Sequence, residues 1–156
     1  MIDPTDRANW LAEAQPVAER VASALSGLTS KRHIYAALKK LGFGPISKKL
    51  ERTATGISPR VLGDFIVKSM HVSEGYDPKF CLPTLVLIGE SFVPLQTGQK
   101  QGEDEVVLQP LCYNDIRHIT SLWLRDDSPF NELDDFLEAA PTNMGIWKGK
   151  VCLLDW

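Results

Sequence analysis

Apolar positions in the first seventy residues recur at helical spacing, and capping residues divide them into segments. Asp3 followed by Pro4 predicts a helix start, because the missing proline N–H has no role in a first turn. Trp10 and Leu11 lie in this short helix. Pro16 predicts a restart, since an interior proline removes a backbone hydrogen bond and crowds the preceding turn. Val17, Val21, Ala24, Leu25 and Leu28 then repeat along one side of a second helix, with Gly27 near its end. Thr29 or Ser30 caps a third, with Ile34, Leu38 and Leu41 on one face and Gly42 as its left-handed terminator. Gly44 and Pro45 open a fourth, in which Ile46, Leu50 and Ala54 are spaced by four, and Gly56 stops it. Ser58 and Pro59 open a fifth, with Leu62, Phe65, Ile66 and Met70 facing inward. The proline keeps Ser58 out of helical geometry and so makes it a cap.

The pattern then changes. Residues 73–83, SEGYDPKFCLP, are rich in breakers and mark an internal boundary between a helical half and a mixed half. Residues 84–88 are β-branched and aliphatic, which predicts a buried strand. Segments 92–96 and 105–109 flank the polar stretch TGQKQGED and are predicted to pair as a hairpin, with Pro94 and Pro110 on edge strands or at strand ends. Asn114 or Asp115 caps a helix with Ile116, Ile119 and Trp123 inside. Ser128 and Pro129 open the clearest helix of the chain. Phe130, Leu133, Leu137 and Ala140 line one face, Asn131, Asp134, Asp135 and Glu138 the other, and Pro141 lies past its end. Residues 146–156 read as a strand or a tight hairpin around Gly149, with Trp156 packed down. The predicted fold class is α+β: a helical N-terminal half packed on a small antiparallel sheet with two further helices, as one domain over 1–156.

Composition sharpens this. The chain has 156 residues, 44% hydrophobic and 24% charged, which matches a globular domain with a real core. The apolar run Leu85–Ile88 is far below the ~20 residues of a spanning helix, so no membrane partner is expected. MIDPTDRANW has neither the basic start nor the apolar core of an export signal, and a cytoplasmic location is expected. Cys81, Cys112 and Cys152 are odd in number and widely spaced, which predicts reduced thiols without a disulfide or a metal.

Charge is uneven. Residues 31–60 hold eight Lys or Arg against the single acid Glu51, a net of +7, while 100–156 hold five against eleven acids, a net of −6. A basic stretch of this kind raises a nucleic-acid reading. Residues 46–54 would be the supporting helix of a helix-turn-helix, with Pro59 onward as the recognition helix. Lys48, Lys49 and Arg52 would meet phosphates and Arg60 would occupy the groove-facing first turn. The face beyond Arg60 presents Gly63 and Asp64, which read bases poorly, so the scaffold reading is preferred.

Catalytic chemistry finds little support. Asp115 and His118 are three apart and could join Cys81 or Cys112 in a Cys-His-Asp set, but nothing local activates those thiols. Cys112 and His118 are six apart, unlike paired zinc ligands, and Glu103, Asp104 and Glu105 lack the alternation of a calcium loop. Gly42 and Gly44 follow no strand and no GK[ST] is present. No cofactor and no catalytic residue is assigned.

The acids Asp126, Asp127, Asp134, Asp135 and Glu138 gather around one helix and its entry turn, and would speed capture of a basic protein partner. Trp147 and Trp156 are the aromatic anchors expected at such an interface. The expected function is a non-enzymatic protein-binding inhibitor, in concrete form an immunity protein that neutralises a basic toxin domain. A DNA-binding regulator using residues 46–70 is the alternative, and a cysteine hydrolase the third reading.

Overall fold

A computed structural model of the chain describes residues 1–46, 56–98, 102–113, 116–123, 143–154 and 156. The Asp3 carboxylate accepts the Thr5 N–H at 2.7 Å, and Pro4 begins helix α1, Pro4–Leu25. The expected break at Pro16 does not occur. Trp10, Ala14, Val17, Ala18, Val21, Ala22 and Leu25 form one buried stripe that continues on both sides of the proline. Burial at about 25 cal/mol per Å² of apolar surface outweighs the roughly 3 kcal/mol of an interior proline. Ala12 and Pro16 are both exposed, so the carbonyl left without a donor can be satisfied by water.

Helix α2, Lys31–Lys40, starts where Ser30 Oγ accepts the His33 N–H at 3.5 Å. It ends as predicted. Gly42 adopts φ +100°, Gly42 N–H donates to the Lys39 carbonyl and Phe43 N–H to the Leu38 carbonyl, both at 3.0 Å. That pair of bonds is a Schellman termination.

Gly44–Pro45 is a short strand, β1, rather than a helix start. Leu50 and Ala54 of the predicted fourth helix lie outside the described residues. The fifth helix is replaced by a hairpin: β2, Arg60–Leu62, turns at Gly63 and Asp64 into β3, Phe65–Met70. Gly63, at φ +57°, occupies the first turn position, which is where a II′ hairpin turn places its glycine. Leu62, Phe65, Ile66 and Met70 satisfy a helical period, but pairing along the whole of β3, from Phe65↔Pro110 to Met70↔Glu105, decides for strand.

Strands β4, Leu85–Ile88, and β5, Ser91–Pro94, form a second hairpin through Gly89, at φ +63°, and Glu90. Strand β6, Glu105–Pro110, does not pair with β5 as expected; it inserts between β3 and β4. The tight Gly89 turn already gives β5 its partner. The chain between residues 94 and 105 is then long enough to carry β6 to the free side of β4. The sheet order is β1-β2-β3-β6-β4-β5, with every pairing antiparallel. Pro94 is the last residue of an edge strand, and Pro110 ends a central one, positions that spare a ladder donor.

Helix α3, Ile116–Trp123, buries Ile119. The side chains of Ile116 and Trp123, the cap at 114 or 115 and the helix predicted from Pro129 lie outside the described residues. Strands β7, Met144–Trp147, and β8, Lys150–Leu153, form the C-terminal hairpin. Its turn residues Lys148 and Gly149 have φ of 52° and 75°, the I′ pattern that suits a two-residue hairpin.

The fold is thus α+β, with helices packed on a mainly antiparallel sheet. One sheet face puts Val67, Leu85, Phe92 and Leu108 against α1. The other puts Met70, Val86 and Val107 against Tyr76 and Cys81 of the 73–83 loop and against Trp156. Strands from before and after that loop pair in the same sheet. Buried Gln109 donates from Nε2 to Thr84 Oγ1 at 2.9 Å and to the Leu154 carbonyl at 3.2 Å, which ties the sheet to the C-terminal segment. No helix among the described residues is long and apolar enough to cross a membrane.

Candidate functional site

Helical spacing places Asp6, Asn9, Trp10 and Glu13 on one stripe of α1, at i, i+3, i+4 and i+7. This stripe borders a cavity of about 380 Å³. The β2–β3 turn supplies Asp64, the segment after β6 supplies Leu111 and Tyr113, and the β7–β8 hairpin supplies Trp147 and Lys148. Backbone bonds hold these parts together. Leu111 N–H donates to the Asp64 carbonyl at 2.7 Å, and Tyr113 and Ile146 exchange N–H···O bonds at 3.0 and 2.6 Å.

The lining combines two chemistries. Three carboxylates, Asp6, Glu13 and Asp64, stand against one cation, Lys148. Trp10 and Trp147 are buried at 5% and 7% exposure, whereas Leu111 and Tyr113 on the rim are exposed at 39% and 54%. Trp10 is braced by Phe65, ring centroids 6.2 Å apart. Its indole Nε1 is buried without a hydrogen-bond partner, a donor whose desolvation is uncompensated. A cleft with an excess of carboxylates favours a cation.

The structure distributes the residues singled out from the sequence. Trp147 forms part of the cleft wall. Trp156 belongs to the opposite side of the sheet, tilted against Tyr76 with ring centroids 5.2 Å apart, its carbonyl accepting from Ser73 Oγ at 2.8 Å. The two tryptophans therefore do not share a surface within the described residues. Asp126, Asp127, Asp134, Asp135 and Glu138 lie outside the described residues. So do Lys48, Lys49 and Arg52.

Arg60 does not occupy the first turn of a recognition helix. It sits on strand β2, its guanidinium 4.0 Å from the centroid of the Tyr35 ring of α2 and its Nη1 donating to the Pro59 carbonyl at 3.2 Å. The Tyr35 hydroxyl accepts the Ser58 N–H at 2.8 Å, so Ser58 and Arg60 both fasten the hairpin to α2. The predicted reading helix is a pair of strands, and the helix-turn-helix has no second helix.

The cysteines carry no shift towards the thiolate. All three are free thiols. Burial pushes Cys81 up to about 11 and Cys152 up to about 12. Cys112 is raised further by burial and by the neighbouring Cys152. A nucleophilic thiolate needs the opposite shift. His118 lies edge-on to Tyr113, ring centroids 5.9 Å apart, and Asp115 is outside the described residues. Among the described residues no three His, Cys, Asp or Glu side chains are grouped closely enough to hold a metal ion.

Sequence reasoning missed Asp6, Glu13 and Asp64. The helical stripe shared by Asp6, Trp10 and Glu13 was legible. Asp64 joins it only through the hairpin turn, which depends on tertiary pairing. Comparison with protein-family models, with curated proteins and with solved structures finds no match for this chain.

Proposed function

We propose that this chain is a non-enzymatic protein-binding inhibitor, most concretely an immunity-type protein that neutralises a basic toxin. The carrying observation is the cleft in which Asp6, Glu13 and Asp64 surround an aromatic wall, with Leu111 and Tyr113 exposed beside it. Interfaces draw their affinity from aromatic anchors and their capture rate from complementary charge. Both are present in this one surface. The thiols, raised by burial, support a binding role over nucleophilic catalysis.

In this reading Asp126, Asp127, Asp134, Asp135 and Glu138 add to the negative field that captures the partner, and Trp147 contributes aromatic contact, while Trp156, on the opposite side of the sheet, stands apart from that surface. The interface would cover on the order of 800 Å² of this protein. The test takes a basic toxin domain encoded beside this chain, co-expresses the two and measures growth and complex formation. Relief of toxicity with a stable 1:1 complex is expected. Unrelieved toxicity and no complex would overturn the reading.

A further inference from the structure

We infer that the cleft beside α1 is a pocket for an arginine side chain of the partner. The inference rests on the protein-binding reading above and adds the chemical identity of the group that enters.

Three observations converge. Asp6 and Glu13 approach the cavity from α1, and Asp64 approaches from the β2–β3 turn, so the carboxylates come from two directions. They are not grouped as ligands of a metal-sized ion, whereas a planar guanidinium, with five donors in a fork, reaches separated acceptors. Trp10 and Trp147 are among the lining residues, and aromatic side chains suit a guanidinium better than the compact, strongly hydrated ammonium of lysine. A volume of about 380 Å³ lies at the small end of ligand sites, fitting one long side chain and its backbone.

The test uses the whole ¹⁵N-labelled chain and three probes of equal size: Nα-acetyl-arginine amide, the lysine analogue and the uncharged citrulline analogue. The readout is the indole N–H resonances of Trp10 and Trp147. Arginine amide is expected to shift the Trp10 resonance in a saturable way, with lysine weaker and citrulline without effect. The double variant Glu13→Gln, Asp64→Asn should bind arginine amide about tenfold more weakly, the loss of roughly one charge-assisted hydrogen bond. Both positions are exposed, and an otherwise unchanged spectrum verifies the fold. Citrulline acting as well as arginine, or arginine leaving both indoles unmoved, overturns the pocket.

The neutralised toxin then separates the two claims. Equal binding by wild type and the double variant would sink the arginine pocket and leave the inhibitor reading standing. Arginine amide in the cleft, with no toxin bound or neutralised, would support the pocket and sink the inhibitor reading.

Discussion

Helix α1 borders a cavity at each half, and the two differ in kind. The N-terminal half edges the cleft of about 380 Å³. The C-terminal half contributes Pro16, Glu19, Arg20, Ser23 and Ala24 to an open groove of about 660 Å³ that Leu41 of the α2 cap also lines. The larger space is the poorer site. Glu19 and Arg20 offset one another in charge, and the rest of its lining offers a proline, two small side chains and one leucine. The smaller one sets three carboxylates and one lysine beside buried aromatic residues, an excess of negative charge. Recognition follows from charge and wall chemistry converging from different elements, whereas volume alone can come from two helices that merely diverge.

The strongest way to break this comparison is to remove a wall from each cavity. Trp10→Ala should lower stability by about 3–5 kcal/mol, the usual cost of truncating a buried tryptophan. Leu41→Ala, at a half-buried position, should cost about 1 kcal/mol. Urea unfolding midpoints of the two variants measure the difference. Equal losses would mean that the groove is as much a part of the core as the cleft.

Charge reversal is the next largest effect. Glu13→Lys with Asp64→Lys should slow association with the proposed basic partner about tenfold at low salt. Glu19→Lys in the groove should change that rate by less than about twofold. Stopped-flow mixing at low and high salt separates them, and an equal slowing by all three reversals would make the effect one of net charge.

A smaller effect comes from the helix end that carries the cleft. Asp3→Ala removes the acceptor for the Thr5 N–H and should cost about 1 kcal/mol. Amide exchange should quicken in the first turn, near Asp6, and remain unchanged around Ser23 and Ala24. Exchange that quickens along the whole of α1 would show that the two halves open as one unit.

The thiols give the smallest effect at neutral pH and a clear sign in alkali. Burial raises Cys81 from 9.0 to about 11, so the unfolded chain releases this proton first. Stability carried by the neutral thiol is complete below pH 9.0 and declines as pH climbs towards about 11. The unfolding midpoint of wild type should therefore fall more steeply over that interval than the midpoint of Cys81→Ala. Parallel curves would remove the thiol from the account. Near neutral pH a thiol reagent should react slowly with the native protein and titrate all three cysteines in denaturant.

Much of the local structure could be read from the chain alone. Asp3 with Pro4, Ser30 and Gly42 act through bonds to residues two to five positions away, and the Lys148–Gly149 turn closes on its immediate neighbours. Interactions of such short reach leave their whole cause in a few adjacent letters. The alternation from helical to strand patterning, and with it the α+β class, rests on equally local periodicity.

Pro16, the 60–70 hairpin and the place of β6 needed the assembled molecule. Pro16 is tolerated because a buried stripe on both sides of it packs against the sheet. Leu62, Phe65, Ile66 and Met70 fit a helical period, and β6 supplies the hydrogen bonds that override it. The cleft belongs to the same class. Asp6 and Glu13 face one way by helical geometry, but Asp64, Tyr113 and Trp147 reach them from 51 to 141 residues further along the chain. Sequence determines what each short segment prefers; packing and long-range pairing choose among those preferences, because the free energy of burial is shared by residues that only the fold brings together.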